Sequence, residues 1–337
     1  MSRWRFELLD RWDHPLRDLD GVTGGSAEIV AQSVLGGSGQ LFLHRRQDID
    51  WMSHRVRAIY QGNTEWPVGT FLLSSPKAVH TAFGARYEVG LLTKMNVIQE
   101  DAVEDRFSLP AGTPVIPTVV SLIHSTGETR IAVTDSSSVL TSALTWDAGN
   151  SKLAIINELL QSAGYWALWC DGGGQFRVEP YVDPASRPVS HVFEYGEASL
   201  YLPDWEHEQN HSSVPNRFVA IGEGDEENPP LVGVAVNEDP ASPYSFQARG
   251  RWITAEPDEG VEAETQTVID QYAARRLRDL MDPVSRLTVS HAMLQLEQNA
   301  LVSFIPEDGV QRLATVQRMA CDFVFAPDIS AEWRQVL

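Results

Sequence analysis

Short runs of alternating apolar and polar residues, cut by glycine and polar turns, fill the first hundred positions. Arg3 to Leu9 alternates, Gly24-Gly25 precedes Ser26 to Val34, and Gly36-Gly37-Ser38-Gly39 separates that segment from Gln40 to His44. Arg55 to Tyr60 reaches a Gln61-Gly62-Asn63 turn, Glu65 to Leu73 follows, and Tyr87 to Leu92 puts Tyr87, Val89 and Leu91 on one face. Strands of this length and spacing predict a barrel or sandwich.

From about residue 101 helical and strand patterns mix. Thr113 is placed to cap a helix whose Pro114 and Pro117 sit in the first turn, where a missing N–H costs little, and which ends near Ser125-Thr126-Gly127. Ser151 to Ala163 carries Leu153, Ile156, Leu159, Leu160 and Ala163 on one face, with Asn150 as the expected cap and Gly164 as the stop. Tyr165 to Cys170, the turn Asp171-Gly172-Gly173-Gly174 and Gln175 to Pro180 then read as a hairpin. Arg217 to Ile221 and Leu231 to Asn237 are strands around the loop 223–230. Ile269, Tyr272, Ala273, Arg276, Leu277 and Leu280 form a helix face stopping at Asp282-Pro283, before strands at Arg286 to His291, Leu301 to Ile305 and Gln311 to Phe325. This last region faintly repeats the first in pattern: a short strand, a glycine turn (Gly62; Gly309) and a longer strand.

A length of 337 residues, with 43% hydrophobic and 21% charged positions, indicates a globular chain of several domains. No apolar run approaches the roughly 20 residues of a spanning helix, and Met1 to Glu7 lacks the pattern of an export signal. Cys170 and Cys321 make no metal or redox spacing and read as small buried residues. The net charge of −20 opposes a nucleic-acid groove, which needs a basic stripe. It is uneven: residues 1–100 hold 11 basic and 11 acidic side chains, and Glu223 to Glu264 holds 11 acids against Arg249 and Arg251.

One short motif fits a metal site. His207-Glu208-Gln209-Asn210-His211 matches H-E-x-x-H, in which two imidazoles one helical turn apart bind zinc and the glutamate activates water. Pro203 and Pro215 bracket it, Ser212-Ser213 follow, no apolar helix face is present, and nothing selects a third ligand from Glu223 or Glu226. The glycines at 36, 37 and 39 lack the following Lys-Ser or Lys-Thr of a phosphate loop, and Ser38 has no motif-level partner. The aromatics of Tyr165-Trp166-Ala167-Leu168-Trp169 read as core, with a glycan platform as the alternative. The expectation is therefore a non-enzyme with no catalytic, cofactor or metal residues, the alternatives being a zinc hydrolase on His207, Glu208 and His211 or a receptor- or glycan-binding protein.

Trp146 to Leu160, Ala163-Gly164-Tyr165 and the hairpin from Asp171-Gly172 to Pro180-Tyr181 resemble the helix-hairpin unit of phage baseplate hub proteins. Asp48 to Trp51, Arg55-Val56-Arg57, Trp66 to Ser74 and Val214 to Val219 look like minor tail proteins of that role, including the N-terminal part of tail-associated lysins. The resemblance implies a mainly β fold of two tail-tube-like barrels with smaller α+β insertions. It divides the chain into 1–100 as a first barrel, completed by about 192–222, 101–191 as the α+β domain, and 216–337 as a second barrel with a helical insertion near 262–281. It also implies a virion tail-tip location and a homotrimer whose six barrels form a ring. Its partners would be the tail tube, distal tail protein, tape-measure protein and a fibre or spike. DNA would pass through without specific binding, and there would be no stable membrane insertion. The chain ends soon after its last expected strand without a peptidase segment, which speaks against lytic activity.

Overall fold

The computed structural model describes residues 3–31, 33–44, 48–82, 84–222, 229–261, 265–281 and 285–336. The fold is mainly β with an α+β insertion, divided into two compact units: Met1–Trp205 with Thr288–Trp333, and Glu206–Leu287 with Arg334–Leu337. Among the described residues no helix is long and apolar enough to cross a membrane.

The first unit opens with β1 (Trp4–Leu9), β2 (Pro15–Asp18), β3 (Val22–Val30), β4 (Gly37–Leu43), β5 (Arg55–Gln61), β6 (Glu65–Thr81) and β7 (Gly84–Thr93), paired in the order β2-β1-β5-β6-β7-β4-β3. The alternation read from the sequence is the burial pattern: Trp4, Phe6 and Leu8 face inward, where Trp4 and Phe6 pack on Phe323 with ring centroids 4.8 and 5.2 Å away. Several details differ from expectation: β2 was not expected, and β3 covers Val22–Val30 where Ser26 to Val34 was expected. β6 runs on to Thr81, and the glycine cluster opens β4, since a Cβ at Gly37 would lie 2.0 Å from the Glu28 carbonyl oxygen across the ladder.

The insertion follows: α1 (Met95–Glu100), β8 (Phe107–Leu109), α2 (Val115–Ser125), β9 (Ile131–Val133), β10 (Leu144–Trp146), α3 (Lys152–Ser162), β11 (Trp169–Cys170) and β12 (Phe176–Val178). Leu153, Ile156, Leu159 and Leu160 are buried against Val119, Ile123, Phe176 and Val178, as the helix face predicted. The expected caps are corrected. Ser151, not Asn150, caps α3, its Oγ accepting from the Ala154 N–H at 3.1 Å while Asn150 donates to the Asp147 carbonyl. Thr113 donates to the Pro110 carbonyl and leaves Pro114 at the head of α2. Gly164 supplies the left-handed stop at φ +72°.

Then come β13 (Val189–Glu194) and β14 (Tyr201–Gln209), the latter carrying the chain into the second unit. There β15 (Arg217–Gly222), β16 (Val232–Val236) and β17 (Asp258–Val261) form a sheet ordered β16-β15-β17, with a short α4 (Phe246–Arg249) and a longer α5 (Gln266–Leu280). Ile269, Ala273 and Leu277 of α5 pack on Phe218 and Ala220 of β15. The expected stop at Asp282-Pro283 lies outside the described residues.

β18 (Ser285–Ala292), β19 (Leu301–Ile305), β20 (Arg312–Asp322) and β21 (Asp328–Gln335) complete the chain. β20 serves two partners in succession, pairing with β19 over Arg312–Thr315 and with β3 over Arg318–Asp322. It therefore joins the N-terminal strands to those that follow residue 188. β13, β14 and β21 escaped the sequence reading. β14 is mostly exposed and contains Pro203, and it stands at the end of the sheet order, where a missing N–H is tolerated. β21 did carry a signal, because Ile329, Ala331 and Trp333 alternate and are all buried.

Candidate functional site

Four charged side chains from distant parts of the chain meet in the interior of the first unit. Asp13 sits in the β1–β2 turn at φ +67°, a left-handed conformation that aspartate tolerates. Arg55 opens β5, Lys94 lies between β7 and α1, and Glu128 follows Gly127, whose φ of +89° turns the chain after α2. Arg55 bonds Asp13 Oδ1 at 2.8 Å and Glu128 Oε1 at 2.5 Å, and Lys94 Nζ bonds Asp13 Oδ2 at 2.6 Å and Glu128 Oε2 at 2.7 Å. Each carboxylate thus bridges both cations. Burial works against the Arg55 charge, but Glu128 and Asp13 outweigh it and hold its pKa above the usual value.

The third Lys94 donor reaches the Gly174 carbonyl at 2.8 Å, and its ammonium lies 4.9 Å from the Phe176 ring centroid. This ties the hairpin turn of the insertion to the first sheet. Thr70 Oγ1 donates to the Gly172 carbonyl at 3.0 Å, and Arg57 donates to the Gly173 carbonyl at 3.3 Å. A Cβ at Gly172 would stand 2.2 Å from the Pro67 carbonyl oxygen, which explains why the turn needs glycine there. The sequence reading found the turn and missed its docking. The charged quartet is a lock: with its atoms buried and paired, it has no group free to attack or bind a substrate.

A second buried cluster contains His191, Phe193, His291 and Trp333. Ring centroids are 4.6 Å apart for His191 and Phe193, 5.0 Å for Phe193 and His291, and 4.9 Å for Phe193 and Trp333. His291 Nδ1 is 2.8 Å from the Ala292 carbonyl, so the proton of the neutral ring belongs on that nitrogen, while Nε2 of both histidines is buried without a hydrogen-bond partner. Burial pushes the His291 pKa down to about 4 and lowers that of His191. Both rings are neutral members of an aromatic core.

The H-E-x-x-H residues are not on a helix. His207 and Glu208 lie on β14 and His211 in the following turn, all exposed. Their imidazoles have separate partners: His207 Nε2 is 2.8 Å from Ser285 Oγ, and His211 Nδ1 is 2.8 Å from the Tyr244 hydroxyl. Glu223 and Glu226 lie outside the described residues. Among the described residues, no group of three His, Cys, Asp or Glu is arranged to hold a metal. Ser38 is a ladder residue of β4 opposite Glu28 and Leu92. Cys170 is half-buried and Cys321 buried, both are free, and burial pushes each thiol up to about 12. Tyr165 and Leu168 face the core, Trp166 packs on Tyr181 with ring centroids 4.6 Å apart and planes tilted by 53°, and the Arg177 guanidinium lies 5.7 Å from the Trp169 ring.

No protein-family model and no curated protein sequence matches this chain. Solved structures do. A tail protein from Neisseria meningitidis MC58 superposes with a TM-score of 0.70 at 10% identity, over 98% of this chain and 96% of that one. The 43 kDa tail protein of prophage MuSo2 from Shewanella oneidensis gives 0.67 at 12% identity, over 98% of both chains. The c3393 protein of E. coli, a type VI secretion component with structural similarity to the T4 bacteriophage tail proteins gp27 and gp5, gives 0.53 at 9% identity, over 98% and 76%. The chain therefore has the fold of phage tail proteins.

Proposed function

We propose that this chain is a structural hub of a phage tail tip or baseplate, located in the virion, joining the tail tube to the distal tip proteins. The observation that carries the reading is the end-to-end likeness to the Neisseria tail protein, which leaves no large part of either chain unmatched. The role is architectural rather than catalytic, in keeping with titratable groups held in buried ion pairs or in an aromatic core.

On this reading the chain forms a homotrimer, in which β20 joins two strand groups per copy so that three copies present six to the tail tube. The ring contacts the distal tail protein, the tube, the tape-measure protein and a fibre or spike, and lets DNA pass without specific binding. Light scattering on purified protein at high concentration, followed by cryo-EM of assembled tails, tests this: a trimer is expected, and a dimer overturns the assembly.

A further inference from the structure

Between Glu223 and Glu264 the only basic residues of the sequence are Arg249 and Arg251, and the fold brings both to one cleft of the second unit, together with His211, Ser212, Pro243 and Tyr244. Its volume is about 830 Å³, within the range of roughly 300–1,000 Å³ that small-molecule sites occupy. The short helix α4 sets the two arginines apart. Ser245 caps it, its Oγ accepting from the Ala248 N–H at 3.2 Å, and Gly250 ends it at φ +66°, the left-handed turn that carries Arg251 out of the helix.

Neither charge is neutralised. Arg249 donates to the Val214 carbonyl at 2.7 Å and to the His211 carbonyl, both neutral acceptors, and its guanidinium lies 4.9 Å from the Tyr244 ring centroid. Two of the five guanidinium N–H groups are thereby used, which fixes the plane of the fork and leaves three donors. Arg251 has an exposed side chain, and among the described residues neither arginine is within ion-pair distance of a carboxylate, whereas Arg55, Arg177 and Arg312 each meet one. Tyr244 is held as well: His211 Nε2 donates to Gln209 Oε1 at 3.0 Å, so its Nδ1 accepts the Tyr244 hydroxyl proton at 2.8 Å. A chain of net charge −20 repels anions at long range, so two unpaired guanidiniums converging on one cleft suit a partner that binds at short range through paired oxygens, a carboxylate or a phosphate. A bare anion would leave most of the cleft unfilled, and Pro243 and Tyr244 offer the rest of its wall to carbon. We propose that this cleft binds a small organic anion, its carboxylate or phosphate group held by Arg249 and Arg251 and its body against Pro243 and Tyr244. This goes beyond the hub reading and does not depend on it.

Glucuronate and glucose 6-phosphate are the probes, alike in their sugar body and different in the anion, with glucose as the neutral control and inorganic phosphate as the bare anion. Titration calorimetry on the full chain should show at least one of the two anionic sugars binding about tenfold tighter than both glucose and inorganic phosphate, and weakening as salt rises. The preferred sugar tells carboxylate from phosphate. Arg251→Gln alters an exposed side chain and should weaken that binding about tenfold, while Arg278→Gln, the same loss of charge at an exposed position of α5 outside the cleft, should change it by about twofold or less. Hydrogen exchange on the unmutated chain supplies a second measurement, in which the preferred sugar should slow exchange over 243–251. Neither anionic sugar binding more tightly than glucose, inorganic phosphate binding as tightly as the preferred sugar, equal losses in the two variants, or protection elsewhere only would each overturn the proposal.

Discussion

Lys94 Nζ lies 2.7 Å from Glu128 Oε2, and their side chains are 0% and 5% exposed. The lysine belongs to the end of the first sheet and the glutamate to the turn after α2, so this contact, with its counterpart between Arg55 and Glu128, fastens the insertion to the sheet. Two cations and two carboxylates cancel, which makes burial tolerable only while all four are present.

Lys94→Met should therefore lower stability by about 3–5 kcal/mol, because it leaves Asp13 and Glu128 sharing one cation in a buried site. Thermal and urea unfolding of the single variant check this. A loss within roughly 0.5 kcal/mol would show that water enters the site and that the quartet is not a lock.

Stability should fall with acid through the buried His291. The His291 pKa is depressed to about 4 in the folded chain against 6.5 when unfolded, so its contribution is fully present above pH 6.5. As pH falls from 6.5 towards 4 the unfolded chain binds the extra proton first, and up to about 3 kcal/mol is lost. The variant His291→Phe should flatten that part of the pH–stability curve measured by denaturant titration. An unchanged slope would assign acid sensitivity to other groups.

Gly172→Ala should destabilise by about 1–3 kcal/mol, since the new methyl meets the Pro67 backbone oxygen and the docked turn must withdraw. Gly173→Ala meets side chains alone, the Asp171 carboxylate at 3.3 Å and the Pro67 ring at 3.9 Å, and should cost roughly 0.5 kcal/mol. Unfolding of the two variants side by side separates close approach from general turn preference. Equal effects would remove the docking argument.

Purified protein should contain no stoichiometric zinc by elemental analysis. His207→Ala and His211→Ala should each change stability by about 1 kcal/mol or less, because His207 loses one part-buried hydrogen bond to Ser285 and His211 loses exposed ones to Tyr244 and Gln209. One zinc per chain, lost in both variants, would revive the hydrolase reading.

If the hub reading holds, carboxylates should outnumber basic side chains on the surface facing the trimer axis, where a basic lining would hold DNA by counterion release. The acid-rich stretch Glu223 to Glu264 is a candidate for some of that lining. A structure of the assembled ring checks it. Acids crowded on the outer rim around a neutral or basic channel would refute it.

The sequence by itself determined the elements whose signal is local. Alternation placed β1, β5 and β7, helical spacing placed α3 and α5, and the glycines at 164 and 172–174 marked where the chain turns. Each of these patterns reflects burial of one face, which recurs at a fixed period along the chain. β21 carried such a pattern in Ile329, Ala331 and Trp333, so it was legible though unread. What only the tertiary structure decided is partnership. The quartet of Asp13, Arg55, Lys94 and Glu128 is scattered among ordinary surface-type residues, and no spacing rule links positions that meet only after the insertion docks. The same holds for H-E-x-x-H: as letters it is a zinc motif, but β14 holds it extended with His207 and His211 on different partners. Local periodicity records which side of an element is buried, whereas the identity of the neighbour is set by how distant segments pack, and chemistry between side chains depends on the second of these.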